Sequence, residues 1–389
     1  MNLVPEVVAI EPELRRWRRH LHAHPETAFE ERATAAFVAE RLAAIGLDVH
    51  TGLAGTGVVG VLKGGRSNDA IGLRADLDAL HIHEKSGVPH VSRHEGRMHA
   101  CGHDGHTTML LGAAQALSQR RRIDGTAYFI FQPAEENEGG GRVMVEEGLF
   151  DRFPMRAVYG LHNWPSRPTG TFAMRAGPLM GAFDVFEIVA TGKGAHAAMA
   201  YQGKDPMMFA SHAIAALQTI VSRNLHPLAA GVVTVTQVHA GDTWNVIPGE
   251  VVLRGTVRSF DPAVQDLIER RMRGIVDGIA ATFEMTATLR YERRYPATVN
   301  SATETAVAAA AAETIVGRTN VDTEPMPEMG SEDFAFMLQA KPGCYVWMGA
   351  RRDEDTPGLH NPRYDFNDDT LAIGASYWVA LAERELAMR

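Results

Sequence analysis

Residues 183–194, "FDVFEIVATGKG", mark the point at which the pattern of this chain changes and the division of the fold is decided. The stretch reads as a strand that runs into a glycine-rich turn. After it come a helical stretch at 205–225 and strands at 231–241 and 250–260. A second helical stretch at 261–283 and a strand at 285–296 complete the series. That order, β-α-β-β-α-β, is the ferredoxin-like plan, complete within residues 182–296 and able to stand as an insert.

The flanks follow a different rule. "ERATAAFVAERLAAIGLDV" (31–49) repeats apolar residues at helical spacing and stops at Gly46, after which "VVGVLKG" (58–64) and "AIGLRADLDAL" (70–80) read as short buried strands. A helix at 105–121, a strand from 126 to Pro133 and a strand from 157 to Pro165 follow. Helices at 302–317 and 331–340, the second with Ser331 as its expected N-cap, and a strand at 344–350 return to the same alternation. Helices alternating with short apolar strands predict an α/β domain with a mixed, largely parallel sheet. A chain of 389 residues exceeds what one core normally supports. The expected division is therefore 1–181 with 297–389 as one domain, and 182–296 as an inserted ferredoxin-like α+β domain.

Composition limits the partners. With 45% hydrophobic residues, 22% charged residues and a net charge of −9, the chain lacks the basic face that nucleic acid or an anionic membrane requires. The short arginine runs at 15–19 and 120–122 read as solvated helix surface. No apolar run reaches the roughly 18 residues of a membrane helix, and the amino terminus does not resemble a secretory signal. Two cysteines, Cys101 and Cys344, are too few for a disulfide framework, so a reducing, cytoplasmic setting is expected. Cys344 reads as a small core residue.

Cys101 keeps polar company in "MHACGHDGHTTM" (98–109). In parallel sheets ligands bind at the carboxyl ends of strands, and several polar residues fall at or beyond such ends. They are Asp76 and Asp78, Glu135 and Glu136, and His162, with Cys101 and His103 ahead of the helix that follows the first strand. Cys, His and Glu are ligand types for zinc, manganese or cobalt. Each alone is weak evidence, since a chain with 17 histidines has many that merely hydrogen-bond. Their convergence is what favours a metal. The adjacent carboxylates Glu135 and Glu136 can divide the labour, one holding metal while the other faces the water that a metal acidifies, which is equipment for hydrolysing an amide.

The chain resembles the M20 metallopeptidase family, in its amidohydrolase branch of bacterial aminoacylases and hippurate hydrolases. Ten blocks carry the likeness in order, among them "HLHAHPETAFEE" (20–31), "GLRADLDAL" (72–80), "FQPAEE" (131–136), "LHNWP" (161–165), "GKGAHAA" (192–198), "NVIPGE" (245–250), "MGSEDFAFML" (329–338) and "LHNPRYDFND" (359–368). The resemblance implies two divalent metal ions (zinc, manganese, cobalt or nickel) held by Cys101, His103, Glu136, His162 and His360, with Cys101 bridging. It makes Glu135 the general base and Asp76 a carboxylate that orients a ligand. Arg74 stands where other branches carry a metal-binding histidine. The resemblance also makes residues 182–296 a lid and dimerisation domain of a homodimer. From that domain His196 would reach the partner's site, while Asn245 and Arg258 would meet the substrate's carboxylate.

Expected activity is hydrolysis of N-acyl amino acids of hippurate type. A dipeptidase, carboxypeptidase or deacetylase on the same scaffold is the alternative, and a silent metal-binding protein is disfavoured by the full ligand set. Asn137 and Glu138 after the paired glutamates, and Met199 and Tyr201 after His196, depart from the branch and bear on substrate preference. For Arg254 and Arg258, on one face of a strand, a surface ion pair competes with a substrate role. Asp104 is expected to support or cap the helix after it, and His106 stands between an orienting role and plain packing.

Overall fold

The computed structural model describes residues 1–388, so Arg389, the last residue of the expected 297–389 segment, lies outside the described residues. The chain forms two compact units. The first comprises Met1–Leu179, Val299–Met326 and Asp333–Arg389, and the second Met180–Thr298 with Pro327–Glu332.

The first unit is built on an eight-stranded mixed sheet. In spatial order its strands are Asp48–Leu53, Gly57–Gly64, Gly125–Gln132, Ala70–Asp76, Ala157–Pro168, Gly343–Arg351, Phe172–Ala173 and Val321–Asp322. The middle four run parallel to one another, with an antiparallel neighbour on each side. Ala70–Asp76 is buried at every position, as a strand covered on both faces must be. The helices His103–Arg120, Leu371–Glu385, Ala302–Val316 and Glu11–Ala23 pack together, and Leu110, Leu111, Leu117, Trp378 and Val379 are buried in the core they share with the sheet. Each such aliphatic side chain contributes about 1.5–3 kcal/mol when fully buried.

The Ala157–Pro168 strand runs past Pro165, where the sequence predicts its end. Proline lacks the N–H a ladder needs, and the ladder adapts: pairing with the neighbouring strand shifts register between Gly349 and Arg351. The expected helix from Ser331 begins instead at Ala335, with Phe334 at its N-cap. Ser331 belongs to the second unit, where its Oγ accepts from Arg258 Nη1 at 3.1 Å.

In the second unit, strands Gly231–His239, Glu250–Ser259, Ala182–Thr191 and Thr286–Tyr295 form an antiparallel sheet in that spatial order. Helices Pro206–Thr219 and Pro262–Thr282 pack on one face over Phe186, Ile188, Leu253 and Val257. Both helices start alike. Asp205 and Asp261 cap them by accepting the N–H of Met207 and Ala263, and a proline follows each cap. Glycine-rich residues 192–194 end the first strand at Thr191, and Ala195–His196 pairs separately with Val246–Ile247. Pro327–Glu332 joins this unit because Glu328 bridges Met180 and its carbonyl accepts the Gly181 N–H at 3.0 Å.

Candidate metal centre

The first unit gathers its polar residues where the parallel strands end. The Ala70–Asp76 strand delivers Asp76 and, two residues on, Asp78; the Gly125–Gln132 strand runs into the turn that carries Glu135 and Glu136; His162 lies within Ala157–Pro168. Cys101 lies just before the helix that begins at His103. Gly102 makes that entry possible. Its φ is +91°, and a Cβ there would fall 2.4 Å from Asn163 Nδ2 and 2.7 Å from the Tyr364 hydroxyl, so only glycine fits. Asn163 holds the turn from the other side by donating Nδ2–H to the Cys101 carbonyl at 2.7 Å.

Donor atoms of Cys101, Glu136 and His360 lie within 4.8 Å of one another, as do those of Asp76, His103, His106 and His162, and those of His103, Glu135 and Glu136. Cys101 Sγ is 3.3 Å from His162 Nε2, and Glu136 Oε1 is 3.2 Å from His360 Nε2 and 4.0 Å from His103 Nε2. Hydrogen bonds fix which ring nitrogen carries the proton. His103 Nδ1 donates to the Asp78 carbonyl at 2.8 Å and His162 Nδ1 to the Asn163 carbonyl at 2.7 Å, which leaves Nε2 of each as the inward nitrogen, a lone pair on His162 and on His103 a position whose proton a cation would displace. His106 differs. Its Nδ1 donates to Asp76 at 2.7 Å and its Nε2 accepts the Asn163 N–H at 2.9 Å, so both nitrogens are used and it is not a ligand.

The residues present fit a pair of cations. His103 Nε2 is buried without a hydrogen-bond partner among the described residues, an arrangement that costs free energy unless something binds it. Charge points the same way. Burial, reinforced by the Glu136, Glu135 and Asp76 carboxylates, pushes the Cys101 thiol well above its usual range. For His103 burial works downward, but Asp76, Asp78 and Glu136 outweigh it and raise the imidazole to about 10. Burial and His106 hold His162 well below its ordinary value, neutral and able to ligate. One thiol, three imidazoles and a carboxylate are the donors of a zinc, manganese, cobalt or nickel site.

A model of peptidase family M20/M25/M40 matches residues 72–384. The chain belongs to the M20 peptidase family. It is 39% identical over 386 residues to a hippurate hydrolase of Campylobacter jejuni, covering 99% of this chain and all of the relative. An N-acetyl-L-cysteine deacetylase of Bacillus subtilis is 41% identical over 95% of this chain and 87% of its own length. Among solved structures, a Bacillus subtilis protein described as a dinuclear metal-binding peptidase of the M20 family is 35% identical. It superposes with a TM-score of 0.84 over 97% of this chain and 99% of the other.

Within this M20 chain, Cys101, His103, Glu136, His162, His360 and the buried Glu135 lie together in the first unit. Asp76 has other partners than the sequence implies. Burial works to raise its pKa, but His103, His106 and Arg74 outweigh it and hold the carboxyl well below the usual range, with hydrogen bonds to His106 and to Arg74 Nη1 at 2.8 Å. The carboxylate that directly holds a candidate ligand is Asp78. Arg74 is locked between Asp76 and Asp333, the latter at 3.1 Å, so the place of the absent histidine is filled by a buried ion pair. Asp104 is no cap, because the helix begins before it; its carboxylate accepts from His22 Nδ1 at 2.8 Å and lies 3.7 Å from Arg18.

Three further residues lie in the second unit. His196 is exposed, its Nδ1 accepting the Ala198 N–H, and its strand pairs with Val246 beside the exposed Asn245. Arg258 is half-buried, stacked 4.1 Å over the Phe183 ring. The surface ion pair expected for this face exists at Arg254, which meets Glu187 at 2.7 Å. Asn163 and Asp333 act in the site without being singled out for it from the sequence, whereas Asp78 is singled out there only as a polar residue at a strand end. Asp78 and Asp333 sit in the quoted blocks "GLRADLDAL" and "MGSEDFAFML", but their partners are 25 to 259 positions away and no spacing rule reveals them.

Proposed function

We propose that this protein is a metal-dependent amidohydrolase that cleaves the amide bond of N-acyl amino acids, hippurate-like substrates included, to a carboxylic acid and a free amino acid. The observation that carries this reading is the convergence of five donor side chains beside the buried Glu135 at the ends of the parallel strands. Cys101, His103, Glu136, His162 and His360 would hold two divalent ions, which supply Lewis acidity and an acidified water when bound.

The chain's own residues do the rest. Glu135 takes a proton from the attacking water as oxygen adds to the carbonyl carbon, then gives it to the leaving nitrogen as the C–N bond breaks. Asp76 keeps His106 oriented, and through Asn163 that imidazole is tied to the Cys101 turn. Residues 182–296 serve as lid and dimerisation domain, His196 polarises the scissile carbonyl in the partner protomer's site, and Asn245 and Arg258 receive the substrate's carboxylate. Residues 1–181 and 297–389 form the catalytic domain.

A deacetylase reading on the same scaffold has its own support in the 41% identity to the N-acetyl-L-cysteine deacetylase. A panel of hippurate, N-acetyl amino acids and dipeptides ranks the substrates by kcat/KM. Glu135→Gln tests the chemistry: metal content stays at the wild-type level while turnover falls by about 100-fold or more, the weight of a general base. Wild-type activity in that variant contradicts the assignment.

A further inference from the structure

Two buried carboxylates face the main chain on either side of Glu135: Glu31, and Asp78, which also contacts His103. Glu31, just ahead of the Arg32–Ala44 helix, has no solvent exposure. Its Oε1 accepts the N–H of Ala134 at 2.9 Å and of Phe29 at 3.0 Å, and its Oε2 accepts the Thr56 hydroxyl at 2.7 Å. Asp78 accepts the N–H of Glu136 on Oδ2 at 2.9 Å, while its Oδ1 lies 3.2 Å from His103 Nδ1. The amides one residue before and one residue after Glu135 are thus each gripped by a carboxylate from a distant element.

The turn needs the grip. Ala134 has φ +53° and Asn137 φ +70°, the left-handed region that residues with a Cβ avoid. The first residue of the following helix, Gly140, donates its N–H to the Ala134 carbonyl at 2.9 Å, and a Cβ on it would fall 1.9 Å from the Pro133 oxygen. Burying Glu31 and Asp78 beside Asp76, Glu135 and Glu136 is unfavourable unless their oxygens are used, and in both they are spent on this turn and its neighbours.

We propose that Glu31 and Asp78 are positioning residues for the reaction: Glu31 fixes the direction of Glu135, and Asp78 ties Glu136 to His103 so that two metal donors move as one. The inference rests on the reading of Glu135 as general base. The two carboxylates then have separable effects, Glu31 on turnover and Asp78 on metal retention.

The test uses the metal-loaded full-length protein and four variants. Glu31→Leu lowers kcat by about 100-fold, with KM within about threefold and metal content unchanged, because a displaced base costs rate rather than binding. Glu31→Gln keeps an acceptor for the Ala134 N–H and recovers most of that loss. Asp78→Asn, left with one side-chain oxygen for the Glu136 N–H and only the main-chain carbonyl for His103 Nδ1, releases metal at about 10- to 100-fold lower chelator concentration. Amide hydrogen exchange at residues 134–136 rises in Glu31→Leu. Should Glu31→Leu fail to fold, Thr56→Val loosens Glu31 from its far side and lowers kcat in the same direction by about threefold or more. Unchanged kcat with unchanged exchange in folded Glu31→Leu, a loss that Glu31→Gln does not recover, or wild-type metal retention in Asp78→Asn overturns the proposal. Glu135→Gln run alongside separates the two readings: full activity there removes the base assignment, and the exchange at 134–136 still decides whether the grip exists.

Discussion

Cys101 Sγ lies 3.3 Å from His162 Nε2, a buried thiol facing the lone pair of a buried, neutral imidazole. Burial and surrounding carboxylates hold this thiol protonated, so a cation that takes the sulfur as thiolate must displace a proton. Metal affinity is therefore expected to rise between pH 6 and pH 8. Competition against a chelator across that range measures it, and Cys101→Ser flattens the dependence while lowering retention. A pH-independent affinity in the wild type would show that the thiol is not a ligand.

Two glycines give opposite expected outcomes. Gly102→Ala puts a methyl group against Asn163 and Tyr364 at a φ alanine avoids, so thermal stability and metal content both fall. Gly278, inside the Pro262–Thr282 helix, has nothing within 4 Å of an added Cβ. Gly278→Ala should stabilise the protein by up to about 1 kcal/mol through helix propensity. Thermal melting of the pair checks both signs.

His22 supplies a pH signature away from the donor atoms. Burial works to lower its pKa, but hydrogen bonds to Asp104 at 2.8 Å and Glu84 at 3.1 Å raise the imidazole to about 9. A raised histidine stabilises the fold fully below its unfolded value near 6.5, and that stability is lost as pH climbs through 9. The amount at stake is about 3 kcal/mol at most, from 1.36 kcal/mol per pH unit. Denaturant unfolding at pH 6.5 and pH 9 is expected to show the decline in the wild type and a weaker one in His22→Gln. Equal slopes would remove His22 from the account.

Much of this architecture is legible in the sequence because it rests on local pattern. The short apolar run Ala70–Leu73 marks a buried strand, and the succession of strand and helix signals from Phe183 onward marks a separate sheet with its own helices. Helix starts at Pro206 and Pro262 declare themselves through an aspartate and a proline. What local pattern misses is decided by distant partners. Ser331 has the chemistry of a cap, yet its hydroxyl serves Arg258, 73 positions earlier. Asp104 has it too, but Gly102 turns the chain into the helix first and His22 claims the carboxylate. Residue type and place at strand ends mark Cys101, His103, the Glu135–Glu136 pair and His162 as candidate donors and the resemblance adds His360, whereas His106 is set apart from them only by the two hydrogen bonds that occupy its ring. Glu31, 103 positions before Ala134, carries no sequence signal for its contact.

The most direct measurement is metal analysis of the purified protein coupled to hippurate hydrolysis before chelation, after it, and after readdition of zinc, manganese, cobalt or nickel singly. Two divalent ions per chain, activity lost with them and restored by at least one metal is the expected result. Full activity in a sample verified to be metal-free would contradict the central claim.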